Sequence, residues 1–413
     1  MEGGFGMDYE YLHKIFNKSS NEEYTKAKKE RIEGYGAIRL DFEIKTYGYT
    51  EKFKLFFYNH PRMMKNAEKI MSNSEEIKKI ARVLPGIAKE AYQINTLVEE
   101  MQGTNEIEGV RSSKAEMREG LRKIIDDNAE PLRHKSLIKS YLRLQQKKIK
   151  LLSTPEDVRE IYDFLVLDEI KADDLPDGEL FRLEPSELTR SNTGKIVHKN
   201  TMSEDVLKKE LQKLIDFLNN YELSALHKIA IGHFLFGYLH PFYDGNGRTG
   251  RYISSIYLRN LLNPITALSL SKACKDNLKI YLDSFANTNN FKSSGDLTYF
   301  IDSFFEIINL EQEAILADLK EKREYLKNIG QSLKNNTMFD EKEESVLFIL
   351  FQEYIYGQFS EGVSKKDILK YASKISSNYR FNKVKESLCE KGAIKVIKKN
   401  PIVITINPNF FGF

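Results

Sequence analysis

The 413-residue chain has no tryptophan, only two cysteines, Cys274 and Cys389, and almost no imbalance of charge. Two cysteines cannot make a disulfide framework for a chain of this length, so a reducing compartment, the cytoplasm, is expected. With 63 Lys and Arg against 60 Asp and Glu, the net charge of +3 is too balanced for wholesale nucleic-acid binding. No segment approaches the ~18 consecutive apolar residues that a membrane span requires. The N-terminus, Met1 to Asp8, is acidic and lacks a long apolar stretch, which argues against a signal peptide. No set of His, Cys, Asp and Glu has the spacing of a zinc site, and there is no internal repeat or low-complexity tract.

What the chain does have is the run His240-Pro241-Phe242-Tyr243-Asp244-Gly245-Asn246-Gly247-Arg248-Thr249-Gly250-Arg251. A glycine-flanked turn exposes backbone N–H groups to an anion, and a helix starting at the turn adds its positive dipole end. Ile253, Ile256, Tyr257 and Leu261 then recur at helical spacing, so Gly245 to Gly247 read as the start of a helix aimed at phosphate. Arg248 and Arg251 are three apart, where two forked guanidiniums reach the same anion. Asp244 is a hard oxygen ligand beside it, suited to Mg²⁺ on a nucleotide. His240 has the pKa to take a proton from an attacking hydroxyl near neutral pH.

This run resembles the signature of Fic-domain proteins, His-Pro-Phe-x-(Asp/Glu)-Gly-Asn-Gly-Arg-x-x-Arg, and all nine specified positions match. The resemblance implies transfer of AMP from ATP to a Tyr, Thr or Ser hydroxyl of a target protein, or of the chain itself, with release of pyrophosphate. His240 would be the general base. Asp244 would hold Mg²⁺ against the α- and β-phosphates, and Asn246 with the Gly245 and Gly247 amides would stabilise the α-phosphoryl oxygens. Arg248 would grip the β-phosphate region and Arg251 the γ-phosphate. Relatives that phosphorylate depart from the Gly-Asn-Gly-Arg segment, which this chain keeps.

Upstream, Thr104-Asn105-Glu106-Ile107-Glu108-Gly109 resembles the family's inhibitory motif, (Ser/Thr)-x-x-x-Glu-(Gly/Asn). Thr104 and Glu108 share a helix face, and Gly109 is a natural helix stop. A Glu108–Arg251 pair would take up the guanidinium that the γ-phosphate needs; breaking such a pair, if buried, costs ~3–5 kcal/mol. In some relatives the same glutamate supports removal of AMP, an alternative role for Glu108. Between the two motifs, Phe181 to His198 reads as a hairpin with its turn at Asn192 to Gly194, matching the family's flap that clamps a target's main chain. Tyr281-Leu282-Asp283-Ser284-Phe285 is similar to the family's Tyr-Tyr-x-x-Leu segment, so Tyr281 is a candidate lining of the adenine pocket, with Leu282 a departure. His227 and His233 sit on an apolar helical pattern and read as packed residues.

The fold class expected is mainly α: a Fic-type helical bundle with a small β-hairpin flap, plus a C-terminal winged-helix domain. Residues 1–90 form a charged N-terminal region with strands at Ile38 to Ile44 and Phe53 to Tyr58. The catalytic core with its inhibitory helix covers 91–309, with Pro155, Pro176 and Pro185 marking loops. A connecting helix covers 310–334. Residues 335–413 read as helices at Glu341 to Tyr356, Lys365 to Ser373 and Ser376 to Lys391, then a hairpin pairing Gly392 to Ile397 with Ile402 to Ile406. Arg380, Lys383, Lys385, Lys391, Lys395, Lys398 and Lys399 there suffice for DNA phosphates, but lysine-rich faces are usually just solvated, so DNA is the less favoured partner. The competing function is a nucleotide-sensing DNA-binding regulator with little catalysis; the intact His240, for which a sensor has no obvious need, favours the enzyme. A homodimer is left open.

Overall fold

The computed structural model of the protein describes residues 9–125, 132–145, 150–189, 196–357, 361–375 and 377–412. Residues 1–8, residues 190–195, where the turn Asn192 to Gly194 was expected, and Ser376 therefore lie outside the described residues. The chain divides into two compact units, Met1–Ser74 with Glu100–Gln312, and Glu75–Glu99 with Glu313–Phe413. Helices dominate both, and the strands form small antiparallel sheets, so the mainly α class expected from the sequence is what is found.

The first unit opens with α1 (Leu12–Lys18) and α2 (Asn21–Glu33), the latter started by a Ser20/Glu23 capping box. The alternating stretch becomes β1 (Ala37–Lys45), which buries Leu40, Phe42 and Ile44 and pairs with β2 (Lys52–Tyr58). This hairpin docks on the chain further along: the Phe56 N–H donates to the Gly295 carbonyl at 3.1 Å and the Leu297 N–H to that of Phe56 at 2.8 Å. Gly295 has φ +86°, and a Cβ there would lie 2.4 Å from the Lys54 oxygen, so both backbone and space require glycine.

Next come α3 (Pro61–Arg82) and α4 (Gly86–Ile107), within which the unit boundaries fall, then α5 (Lys114–Ile125), α6 (Lys135–Leu144) and α7 (Pro155–Val166). Pro155, read from the sequence as a loop marker, is instead the first residue of α7, where its missing N–H costs nothing. The preceding amides of Ser153 and Thr154 donate to Asp157 at 2.6 and 3.0 Å. The flap strands are β3 (Ser186–Thr189) and β4 (Ile196–Asn200).

After α8 (Glu204–Asn220), helix α9 (Ala225–Leu239) is apolar on every side and buried along nearly its whole length, so it serves as the unit's central rod. It packs against α8 and against α10 (Asn246–Leu261). Short helices α11 (Pro264–Ala267), α12 (Leu270–Asp276) and α13 (Leu278–Thr288) lead to α14 (Thr298–Asn335). The interval 310–334, expected as a connecting helix, lies inside α14, which begins twelve residues earlier because Phe300, Ile301, Phe304 and Phe305 continue its apolar face into the core.

The second unit contains α15 (Glu341–Tyr356), β5 (Val363–Ser364), α16 (Lys365–Tyr371), α17 (Asn378–Glu390), β6 (Ile394–Lys399), β7 (Ile402–Ile406) and α18 (Pro408–Phe411). The strands run in the order β5-β7-β6, an arrangement compatible with a winged helix. Its core holds Val346, Leu347, Leu350, Ile368, Phe381, Leu388, Ile404 and Ile406. Lys391, counted toward the basic face, instead turns inward: its Nζ donates to Glu343 Oε2 at 2.6 Å and to the Met338 carbonyl at 2.8 Å.

Burial raises the Glu343 carboxyl, but hydrogen bonds from Lys391, Ser387 and the Asp340 N–H outweigh it and hold it below the ordinary carboxylate range. A depressed carboxyl adds stability above its unfolded pKa and loses it as pH falls through the folded one. Glu343→Gln is therefore expected to lower the stability of this unit by ~1–3 kcal/mol at neutral pH. The difference from wild type should vanish in thermal melts as the pH drops below ~4.

Candidate active site

The site is built where α9 ends and α10 begins. His240 caps α9 in a left-handed conformation, φ 47° and ψ 60°, with its N–H on the Phe236 carbonyl at 3.0 Å. The same bend carries the chain into the loop. There the Asn246 amide bridges the turn from inside: its Oδ1 accepts the Phe242 N–H at 3.0 Å and its Nδ2 donates to the Phe242 carbonyl at 2.7 Å. Gly245, with φ +80°, lets α10 start at Asn246 while Tyr162 and Val166 crowd against it. Asp244 stays exposed, one of its oxygens accepting the Gly245 N–H at 2.6 Å.

Three contacts orient the imidazole. Its Nδ1 lies 3.3 Å from Ser186 Oγ, and that hydroxyl is 3.5 Å from the His240 carbonyl. A serine donating to the carbonyl has a lone pair free to accept Nδ1–H, which leaves Nε2 as the basic nitrogen. The Asn246 Nδ2 is also 3.4 Å from Nδ1, but its shorter bond to Phe242 is the stronger claim on that amide. Burial, with smaller contributions from His198 and Arg182, pulls the His240 pKa down to about 3, so the ring is neutral at pH 7.

Arg182, a residue that sequence reasoning missed, braces this corner. It is fully buried, its Nε donates to the His240 carbonyl at 2.9 Å and its Nη1 to that of Glu184 at 2.6 Å. The flap is tied to the same helix end: the Tyr238 carbonyl is 2.7 Å from His198 Nε2, and Asn200 Nδ2 donates to the carbonyls of Tyr238 at 3.1 Å and Leu239 at 2.9 Å. These side chains satisfy orphan carbonyls of α9 and fix β4 beside His240. No pattern in the sequence marks Arg182, Ser186 or Asn200; each matters only because the fold sets it against α9.

Arg248 and Arg251 rise from the first turns of α10, both at most 2 % exposed. The structure brings Arg251 to the upstream motif. Its Nη2 donates to Glu108 Oε1 at 2.8 Å and to Thr104 Oγ1 at 3.0 Å, and its Nε to the same hydroxyl at 3.2 Å. Thr104 ends α4's last turns, and Gly109, with φ +72°, breaks the helix just past Glu108. Burial alone would lower the Arg251 guanidinium, but the charge of Glu108 and the neighbouring Tyr281 hold it above its ordinary value. A Cβ at Gly247 would lie 2.1 Å from Glu108 Oε1, so a side chain there would push that carboxylate aside.

Tyr281 is placed differently from the lining expected of it. It is 5 % exposed, and its hydroxyl is 2.9 Å from His233 Nε2, whose Nδ1 is in turn 2.8 Å from Ser254 Oγ. It therefore reaches the site through its charge relation to Arg251, while the neighbouring Leu282 is exposed. His233 and His227 are packed core residues as the periodicity suggested, with burial lowering them to about 3 and about 4. Among the described residues no group of three or more His, Cys, Asp or Glu could hold a metal ion.

The model of the Fic/DOC family matches residues 152–258, which contain α7 to α9 and most of α10. Among solved structures, a Fic family protein from Desulfovibrio desulfuricans G20 is similar at 18% identity and TM-score 0.48, over 84% of this chain and 96% of that one. Fic-1 from C. elegans is similar at 17% identity and TM-score 0.43, covering 62% and 74%. A Fic domain containing signaling protein from Bacteroides thetaiotaomicron VPI-5482 gives 15% and 0.41, covering 60% and 97%. A ribonucleoside-diphosphate reductase small chain from Ostreid herpesvirus 1 is 29% identical over 126 residues, 28% of this chain and 19% of that protein. The chain thus spans about a fifth of the length of that curated relative.

Arg182→Met would remove the short buried bond to the His240 carbonyl, leaving it only the longer 3.5 Å contact with Ser186 Oγ. A buried group left short of its donor costs ~1–3 kcal/mol, so urea unfolding should show a loss of that order, with Asn200→Ala showing a loss of the same kind.

Proposed function

We propose, from the premise that this chain is a Fic-domain protein, that it transfers AMP from ATP to a hydroxyl side chain of a protein and is held back by its own Glu108. Fic-domain proteins are typically nucleotide transferases that act on proteins and use ATP, commonly with Mg²⁺. The observation that carries the finer reading is the loop's division of labour. One turn presents a neutral imidazole whose tautomer is set by Ser186, an exposed carboxylate, and a helix start from which two buried guanidiniums rise.

In the transfer, Nε2 of His240 takes the proton of the target hydroxyl as its oxygen bonds to the α-phosphorus. The bond from that phosphorus to the bridging oxygen breaks, and pyrophosphate leaves with both electrons. Asn246, held by two bonds to Phe242, keeps the turn rigid so that the amides of Gly245 and Gly247 meet the α-phosphoryl oxygens. Asp244 suits Mg²⁺: it is exposed, it is a single carboxylate, and that ion usually relies on few protein ligands plus phosphate oxygens. Bound there, the ion would neutralise phosphate charge. The strands β3 and β4 would present a target's main chain beside His240.

Inhibition follows from competition for one guanidinium. Arg251 Nη2 cannot donate to Glu108 and to a γ-phosphate in the same geometry, so ATP must displace the carboxylate to bind productively. The Glu108 side chain is 25% exposed, which puts the cost of breaking the pair toward the lower end of the ~3–5 kcal/mol range for buried pairs.

Glu108→Gly should raise AMP incorporation from α-labelled ATP on the order of tenfold or more. His240→Ala should abolish it with ATP binding retained, and Ser186→Ala should lower it without weakening ATP binding. Label arriving from γ-labelled ATP would overturn AMP transfer in favour of a kinase. Unchanged incorporation in Glu108→Gly would remove the inhibitory role.

A further inference from the structure

Arg248 is held in a manner unlike Arg251. Its Nη1 donates to Glu169 Oε2 at 2.7 Å, while its Nε, equally buried, has no hydrogen-bond partner among the described residues. Arg251, by contrast, uses both Nε and Nη2 on internal acceptors. A buried N–H without an acceptor is costly and uncommon, so the open edge of Arg248 points to a ligand acceptor. The hydroxyl of Tyr162, fully buried and within the electrostatic reach of Asp244 and Arg248, is likewise unpartnered.

Glu169 does not stand alone. It lies in a single 3₁₀ turn, Leu167–Glu169, that follows α7, and its Oε1 is 2.5 Å from Nδ1 of His134, the residue before α6. His134 is buried and left-handed, φ 59°, with its Nε2 unpartnered. Next to this contact Ser136 donates to Asp168, and Ser140 Oγ donates to the Phe164 carbonyl at 3.1 Å, so the end of α7 is pinned to the start of α6. Burial raises the Glu169 carboxyl, but His134 and Arg248 outweigh it and keep it below its ordinary value, hence anionic. A carboxylate between an imidazole and a guanidinium fixes the position of both.

We infer that Glu169, itself held by His134, is a positioning residue that holds one edge of Arg248 so that the other edge is presented to the β-phosphate of a nucleoside di- or triphosphate. The inference rests on the reading that Arg248 meets a nucleotide's β-phosphate. It makes the two arginines of α10 opposites: Arg251 is engaged by a carboxylate that the nucleotide must displace, and Arg248 by one that stays in place when the nucleotide arrives. Glu169 thereby selects nucleotides with at least two phosphates over a monophosphate.

Equilibrium binding of AMP, ADP and ATP to the full chain tests this, in wild type and in the Glu108→Gly background. Glu169→Gln should weaken ADP and ATP on the order of tenfold and leave AMP unchanged, since AMP has no β-phosphate. His134→Ala should follow the same pattern. His134→Asn should restore most of the loss, because an Asn amide can donate from near the place of Nδ1 and tolerates the left-handed backbone. A loss shared equally by AMP would mean a merely structural role and overturn the inference. Tighter ADP binding in Glu169→Gln would also overturn it, by making Glu169 a second lock, as would no change in any nucleotide. If Glu169→Gln does not fold, the His134 pair of variants decides by the same ADP-to-AMP comparison. Binding needs no turnover, so absence of AMP transfer leaves this test intact, whereas failure of wild type and Glu108→Gly to bind any nucleotide would sink both readings.

Discussion

A guanidinium removed from water has to be matched by an anion, and Arg251, 1 % exposed in the first turns of α10, imposes that demand on everything around it. Glu108 and Thr104 supply the match now, which is why α4 must end where it does and why Gly109 must turn the chain away just beyond. A side chain at Gly247 would displace the Glu108 carboxylate from this match. The same demand would be met by a phosphate. On the function proposed above, an internal carboxylate and an external polyphosphate would be alternative solutions to one electrostatic problem.

The corner at His240 obeys a different constraint. A helix that ends inside a protein leaves carbonyls without donors, and α9 ends among buried residues, Tyr238, Leu239 and His240. Asn200, His198 and Arg182 cover the carbonyls of Tyr238, Leu239 and His240. Because two of those residues belong to β4 and one to the segment before β3, satisfying the helix end also fixes the flap and orients His240. Helix termination, flap placement and choice of imidazole tautomer are consequences of one set of hydrogen bonds.

Much of this was legible in the chain because it is local. Strands at Ile38 to Ile44 and Phe53 to Tyr58, the helix beginning at the Gly245 turn, and the alternation of the C-terminal unit all follow from side-chain periodicity and turn chemistry, which act within a few residues. The pairing of Glu108 with Arg251 was also anticipated, though only through the resemblance of two separated motifs. Pro155 was misread because proline is as much at home in the first turn of a helix as in a loop. Tyr281 was a candidate lining of the adenine pocket; its ring sits against His233 in the interior, and no local pattern in the sequence separates a pocket lining from a core residue.

The sequence by itself determined the chemistry on offer: a twelve-residue loop with a base, a carboxylate, glycines and two arginines, since these properties reside in adjacent residues and their covalent spacing. Tertiary structure decided how that chemistry is held. The partners of His240 and Arg248 come from Ser186, Arg182, Glu169 and His134, tens of residues away and on elements with no shared periodicity. Hydrogen bonds and ion pairs act over about 3 Å of space, so only the packing of α6 and α7 on α10, and of the flap and α10 on α9, could specify them.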